Sequence, residues 1–351
     1  MIPLLQSSWE SRRQLCIVAI SVACVFIVLA YRSSTKWNHL YEPVRKSVEV
    51  NGTIINIESL SLRAHARSMR NHQTQSSSIV SSLAVHVSFY SRKCDRSRML
   101  TLNNTLSCLQ NIPWEVSIFV HTNSHCLDYK LLVKHLIYFI DISFIFHSLK
   151  DIDPWKLSWL TRPLMEIHSS KYDACAYIED DICLSPEAFN CWLKHEPLCS
   201  KFGWNLGILR TEKYPNGSKC IVDFFEGSRL STSDAVVLNA SRFIKNKLNP
   251  YTAFWIYRKA QMKRFVLSPL WNPENIQGYG TPERVGIGMN GLHGRMFKGT
   301  LIPTVMSNKS TTELDPKCTV PHLSGGKYMR SESFCKTLLD HAVKQQPFFA
   351  E

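Results

Sequence analysis

The sequence predicts an α/β fold, a mixed and mostly parallel sheet flanked by helices, set behind an N-terminal transmembrane anchor. Three observations carry the prediction. Strand-like and helix-like segments alternate from about residue 82, an apolar run ends abruptly in Glu179-Asp180-Asp181, and an uncharged 17-residue stretch lies near the start of the chain.

Residues 1–14 read as a cytosolic tail and Leu15 to Tyr31 (LCIVAISVACVFIVLAY) as the anchor, at the short limit for a membrane-spanning helix. A cleavable signal peptide, with Val28 and Ala30 as small residues before a cut, is the alternative. The run is longer and more uniformly apolar than most signal-peptide cores, which favours retention. Flanking charge does not set the orientation, because Arg32, Lys36, Arg45 and Lys46 outnumber Arg12 and Arg13. Cysteine usage does better. Ten cysteines follow the anchor (94, 108, 126, 175, 183, 191, 199, 220, 318 and 335) with no CxxC pair and no zinc-type spacing, the pattern of disulfides in an oxidising lumen. Cys175, inside an apolar run, reads equally as a small buried hydrophobe. Five Asn-x-Ser/Thr acceptors, at Asn51, Asn103, Asn216, Asn239 and Asn308, point to the same compartment. The expected location is a Golgi or ER membrane, single-pass type II, with the C-terminal bulk lumenal.

Residues 32–80 contain few large apolar side chains, end in HQTQSSSIVSS and show no sustained period, so they read as a stem or linker. The formal net charge is +13, and the stem, with seven basic and three acidic residues, holds +4 of it. Charge spread this way, without a basic face interleaved with aromatics, excludes a nucleic-acid binder. It suits anionic nucleotide substrates, or anionic membrane and glycan surfaces.

A single domain is expected over 81–345. Leu83 to Tyr90 alternates as a strand, Asp95 to Leu109 has helical spacing at Met99, Leu102, Leu106 and Leu109, and Glu115 to His121 and Ile137 to Phe146 are further strands. A helix from about Pro154 to Ser169 precedes the strand Ala174 to Ile178, and another starts near Ser185-Pro186-Glu187. Strand, helix and strand in this order give a parallel sheet with right-handed crossovers. Three carboxylates at one strand end repel one another unless a cation sits there. Alternation puts Glu179 and Asp181 on one side and Asp180 on the other. Such hard oxygen ligands suit Mn²⁺ or Mg²⁺ carrying substrate phosphates, and a solvated acidic turn capping the next helix is the alternative.

The stretch WKLSWLTRPLMEIHSSKYDACAYIEDDICLSPEAFNCWL (155–193) resembles the GT-A class of nucleotide-sugar glycosyltransferases, with Glu179-Asp180-Asp181 in the place of the D-x-D signature. The likeness is closer to a little-characterised GT-A-like group, through Trp155, Leu157, Trp159 and Arg162; Tyr177 to Asp181; Phe189, Trp192 and Leu193; and Asn249-Pro250-Tyr251 with Trp255-Ile256. It covers about 155–325. The resemblance implies a metal-dependent glycosyltransferase acting on a nucleotide-sugar donor and a glycan, glycoprotein or glycolipid acceptor. It places Asp181 on the metal, Glu179 on ribose or metal-bound water, and a late histidine on the metal, His322 in preference to His293. Arg92, after the first strand, and Arg162 are donor-phosphate candidates alongside Glu179 and Asp180, each with a structural alternative as surface charge or packed stem. An inverting transfer needs a carboxylate base, for which Glu283 in GYGTPERVGIG is the first candidate and Asp234 the second. Tyr251, Phe254, Trp255 and Tyr257 read as core rather than as a stacking platform. The rival functions are a non-catalytic lumenal binding protein and a nucleotide-sugar phosphohydrolase.

Overall fold

The structure is a computed structural model that describes the backbone of 44–50 and 53–60 and, with side chains, 81–92, 95–124, 141–150, 152–224, 228–249, 251–290, 297–306, 311–324 and the isolated positions 327, 328, 330, 335, 337, 339 and 342–344. The chain divides into two compact units, Met1–Val44 and Arg45–Glu351. The expected tail and anchor, the stem outside the two described strands, and His293 all lie outside the described residues. No helix among the described residues is long and apolar enough to cross a membrane.

Seven strands build the main sheet: β1 (Val44–Val50), β2 (Thr53–Leu60), β3 (Ser82–Phe89), β4 (Glu115–Thr122), β5 (Asp141–Phe146), β6 (Ala174–Glu179) and, later in the chain, Phe254–Arg258, in the order β1-β2-β5-β4-β3-β6 and then that last strand. β5, β4, β3 and β6 run parallel, and the flanking pairs with β2 and with Phe254–Arg258 are antiparallel. Leu83, Ala84, Val85 and Val87 of β3 are fully buried, as expected of a parallel strand covered on both faces. The stretch expected to be a stem therefore supplies two sheet strands. Asn51-Gly52, between VRKSVEV and TIINIESL, is the composition a tight hairpin favours, and it is the sequence signal for this pair.

Helix α1 (Arg96–Leu109) starts at Asp95, whose side chain accepts from the Ser97 N–H, and buries Met99, Leu102, Leu106 and Leu109 along one stripe. The helix expected from Pro154 to Ser169 is two elements, a 3₁₀ segment Pro154–Thr161 and α2 (Arg162–Ser169). Pro163 has no N–H to continue an α-helical ladder back to residue 159, so the preceding turns tighten. Helix α3 (Pro186–Lys201) is capped by Ser185 Oγ, which accepts from the Ala188 N–H.

Beyond α3 the chain forms β7 (Asn205–Leu206), β8 (Leu209–Lys213), β9 (Lys219–Ile221), β10 (Leu230–Ser231), β11 (Ala235–Leu238), β12 (Ser241–Asn246), β13 (Phe254–Arg258), α4 (Lys259–Val266), α5 (Glu283–Gly286), β14 (Thr300–Met306), β15 (Thr312–Leu314), β16 (Thr319–Pro321) and β17 (Val343–Lys344). They make a sheet β11-β12-β14-β15 with β7 beside β14, a small sheet β16-β8-β9, and the pair β10-β17. Among the described residues three disulfides, Cys108–Cys183, Cys191–Cys318 and Cys220–Cys335, join these parts, while Cys175 and Cys199 are free and buried. Burial pushes the Cys175 thiol up to about 12, the behaviour of a core hydrophobe.

The acceptor asparagines differ in setting. Asn103 is within α1 with its Oδ1 buried and without a hydrogen-bond partner. Asn216 is exposed in the turn between β8 and β9, its Oδ1 accepting from the Ser218 N–H at 3.0 Å and Oγ–H at 2.7 Å. Chain made through a secretory pathway is expected to carry a glycan at Asn216 and none at Asn103, read by site mapping with mass spectrometry. A glycan on Asn103, or a bare Asn216, would contradict this.

Candidate active site

Strand β6 carries the acidic tip to the carboxyl edge of the sheet, where open α/β sheets bind ligands. Within the strand the Tyr177 hydroxyl meets Ser88 Oγ at 2.9 Å, and at its end the Glu179 N–H donates to Ala253 O at 3.1 Å. The three acids then part as alternation requires. Asp180 turns to α1, where Arg98 Nη2 lies 3.0 Å from Oδ1 and 2.7 Å from Oδ2, and its backbone carbonyl accepts from Thr105 Oγ1 at 2.8 Å. Burial holds its carboxyl above the usual range, against the pull of Arg98. Asp180 is thus engaged by α1 rather than offered to a donor.

Glu179 and Asp181 face the other way. The Tyr251 hydroxyl donates to Glu179 Oε1 at 2.6 Å, and burial, helped by the neighbouring Asp181 charge, pushes the Glu179 carboxyl up to about 7. Gly286 of α5 closes over it. A Cβ there would lie 2.9 Å from the Tyr251 ring and 3.3 Å from Glu179 Oε1, so glycine lets α5 approach the acid. Asp181 Oδ2 lies 3.3 Å from His322 Nε2, and Asp181 Oδ1 is buried with no hydrogen-bond partner. Burial alone would raise the Asp181 carboxyl, but the hydrogen bond and charge of His322, with Arg210 and Arg98, bring it below the ordinary value.

Register explains how His322 arrives. β16 runs parallel to β8, Cys183 N–H donates to Pro321 O at 2.9 Å, and Ile182 bridges His322, which sets the imidazole against the residue before Ile182. Glu212 of β8 fixes the ring from behind, its Oε1 2.8 Å from His322 Nδ1, and Ser324 Oγ donates to the same oxygen at 2.8 Å. Although burial lowers the His322 pKa, hydrogen bonds to Asp181 and Glu212 outweigh it and raise the value. Beneath this layer, Arg210 Nε and Nη2 each lie 2.7 Å from Asp223 Oδ1, and the guanidinium sits 4.9 Å from the Tyr251 ring centre. Four carboxylates, Glu179, Asp181, Glu212 and Asp223, thus surround one guanidinium and one imidazole. The cluster has a surplus of negative charge and one orphaned oxygen, which is what a divalent cation would satisfy. Two disulfides brace it: Cys183 is two residues from Asp181, and Cys318 lies just before β16.

Other expected residues fall elsewhere. Arg92 is exposed just past β3, with its Nε donating to Tyr90 OH at 3.4 Å. Arg162 is buried, not at the sheet edge: its guanidinium lies 4.5, 4.7 and 5.6 Å from the ring centres of Trp271, Phe265 and Trp255, and burial lowers it to about 9. Three rings enclose the guanidinium, and its Nε, Nη1 and Nη2 are buried without a hydrogen-bond partner. Asp234 precedes β11 and pairs with Lys247 Nζ at 2.5 Å, so the structure ties it to the second sheet. Glu283 begins α5, the helix whose Gly286 borders Glu179, and accepts from the Gly280 N–H at 2.9 Å. The trio Cys191, His195 and Cys318 has metal-ligand proximity, but the disulfide consumes both sulfurs. Tyr251, Phe254, Trp255 and Tyr257 are buried, the core placement expected of them. Sequence reading missed Arg98, Arg210, Glu212 and Asp223. Arg210 and Glu212, two apart in a short strand, were the available signal for polar groups sharing one buried face.

No family model and no curated protein sequence matches the chain. Among solved structures it is similar to apo mouse xyloside xylosyltransferase 1 (10% identity, 62% of this chain and 84% of that one, TM-score 0.38). It is also similar to S. aureus TarS 1–349 (10%, 66% and 59%, TM-score 0.34) and to the apo bifunctional glycosyltransferase WbbM (13%, 63% and 38%, TM-score 0.35).

Proposed function

We propose that the chain is a metal-dependent glycosyltransferase that moves a sugar from a nucleotide-sugar donor to a glycan-type acceptor, held by its N-terminal segment in a Golgi or ER membrane with the domain lumenal. The observation that carries the reading is the pairing of Asp181 and His322 at the carboxyl end of β6, with Asp181 Oδ1 unpartnered and buried. A carboxylate and an imidazole form a donor set that fits Mn²⁺ or Mg²⁺, with Glu179 beside them, and substrate phosphates and water would complete the shell. When bound, the ion supplies positive charge against the diphosphate of the leaving nucleotide.

The chain's own residues do the rest. Glu212, accepting from His322 Nδ1–H, orients the ring with Nε2 toward Asp181, where a bound cation would take the place of the Nε2 proton. Tyr251 fixes the Glu179 carboxyl, and Arg210, held by Asp223, balances part of the acidic charge. Arg92, exposed just past β3 with its Nε donating to Tyr90 OH, is the group proposed to grip a donor phosphate. Glu283 is the base proposed for the acceptor hydroxyl. Three disulfides are consistent with an oxidising compartment.

The test is a panel of nucleotide sugars offered to the full chain with Mn²⁺ and mixed glycan acceptors, with nucleotide release followed. Release from one donor that depends on both metal and acceptor is expected. Binding without release would favour the non-catalytic binding protein, and equally fast release without acceptor would favour the phosphohydrolase.

A further inference from the structure

Away from the acidic tip, four buried histidines form one unbranched hydrogen-bonded chain. His168 Nδ1 meets His86 Nε2 at 3.1 Å, His86 Nδ1 meets His121 Nε2 at 2.9 Å, and His121 Nδ1 meets His147 Nε2 at 2.9 Å. The rings come from four places: α2, the middle of β3, the end of β4, and the residue after β5, whose N–H donates to Thr122 O at 2.8 Å. His121 and His147 stack at 12° between planes, and Phe119 lies 4.1 Å from the His168 ring centre.

Every link joins an Nδ1 to an Nε2, so four neutral rings satisfy all three links only when all carry the same tautomer. The three links hold three hydrogens and the two outward nitrogens hold two more. The chain therefore accommodates one proton beyond neutrality with every link intact. A second would set two N–H groups against each other across a 2.9–3.1 Å gap.

We propose that His168, His86, His121 and His147 form a proton-responsive clamp, which keeps α2 seated on β3 and β4 while it holds at most one added proton and releases it when a second is forced in. Lys171, just beyond α2, is the charged group that acts on the chain, and it opposes protonation of His168. Tyr172 packs edge-on against His168, and no carboxylate among the described residues counts among the charges acting on the four rings. Burial lowers all four below the ordinary value, His147 and His168 to about 4. The sign follows. Above the unfolded value of about 6.5 the rings are neutral in both states and cost nothing, whereas below it the unfolded chain binds protons that the folded chain refuses. Because α2 leads into β6 through residues 170–173, loosening it disturbs the strand that carries the acidic tip.

The experiment is urea unfolding of the full chain from pH 7.5 to 5, in wild type and in His168→Phe. An unfolded state taking four protons against at most one when folded lowers the wild-type folding constant by at least about a thousandfold per pH unit well below the unfolded value, and removing one ring makes this fall about tenfold shallower per pH unit. Equal slopes in the two proteins would overturn the proposal. Should His168→Phe not fold, imidazole ¹⁵N spectra of the wild type decide. One shared tautomer with couplings across the three links supports the clamp, and four independent titrations near 6.5 in a folded chain refute it.

Discussion

Asp181→Ala is expected to lower metal-dependent affinity for the nucleotide-sugar donor by roughly a hundredfold or more while leaving the fold in place. The side chain supplies the one orphaned buried oxygen of the cluster and faces His322 Nε2 at 3.3 Å. Its loss also removes a negative charge from beside Glu179, which relieves repulsion rather than creating it. Backbone support is retained, because Leu323 N–H donates to the carbonyl of residue 181 and the Cys108–Cys183 disulfide holds the following turn. Titration calorimetry with and without Mn²⁺, paired with thermal unfolding, separates the two effects. Undiminished metal-dependent affinity in a folded variant would remove Asp181 from the site.

Arg210→Met is expected to cost about 3–5 kcal/mol of stability, the usual scale for leaving one member of a buried ion pair uncompensated. The guanidinium and Asp223 are both almost fully buried, and the Asp223 carboxylate accepts from the Arg210 backbone N–H at 2.8 Å as well as from its side chain. The methionine fills the space but leaves the carboxylate without its cation. Glu179 and Asp181 lose the same positive charge, so the Glu179 carboxyl is expected to rise further above 7. Urea denaturation reads the stability. A loss under about 1 kcal/mol would show that the pair is energetically neutral, and Arg210→Met combined with Asp223→Leu is expected to recover most of the loss.

The parallel core was legible because its signals are local. β3, β4, β6, α1 and the start of α3 fall within a residue or two of where periodicity and capping put them: a strand buried on both faces reads as an unbroken apolar run, and Asp95 and Ser185 mark their helices. The β1-β2 pair was hidden because charged and polar residues interrupt VRKSVEV and TIINIESL, and the one strong cue was Asn51-Gly52 between them. The second half eluded pattern reading because most of its strands have two to five residues, too few to establish a period. Within the site, Asp181 and His322 were legible as residues of the right chemistry in loop-like positions. Their partners were not, since Glu212 and His322 are 110 positions apart and meet only through the β8-β16 register. Arg162 shows the limit from the other side. Its position beside two tryptophans was visible, but whether its guanidinium faced phosphate or rings depended on where Phe265 and Trp271 fold back.

The proposed function requires the acidic tip to hold a divalent ion together with a nucleoside diphosphate. Calorimetric titration of nucleoside diphosphates into the full chain, first with excess chelator and then with Mn²⁺, tests that directly. Binding of at least one diphosphate that appears with Mn²⁺, vanishes with chelator and is lost in Asp181→Ala is the predicted result. Equal binding with and without metal, or none with any diphosphate by a folded chain, would contradict it.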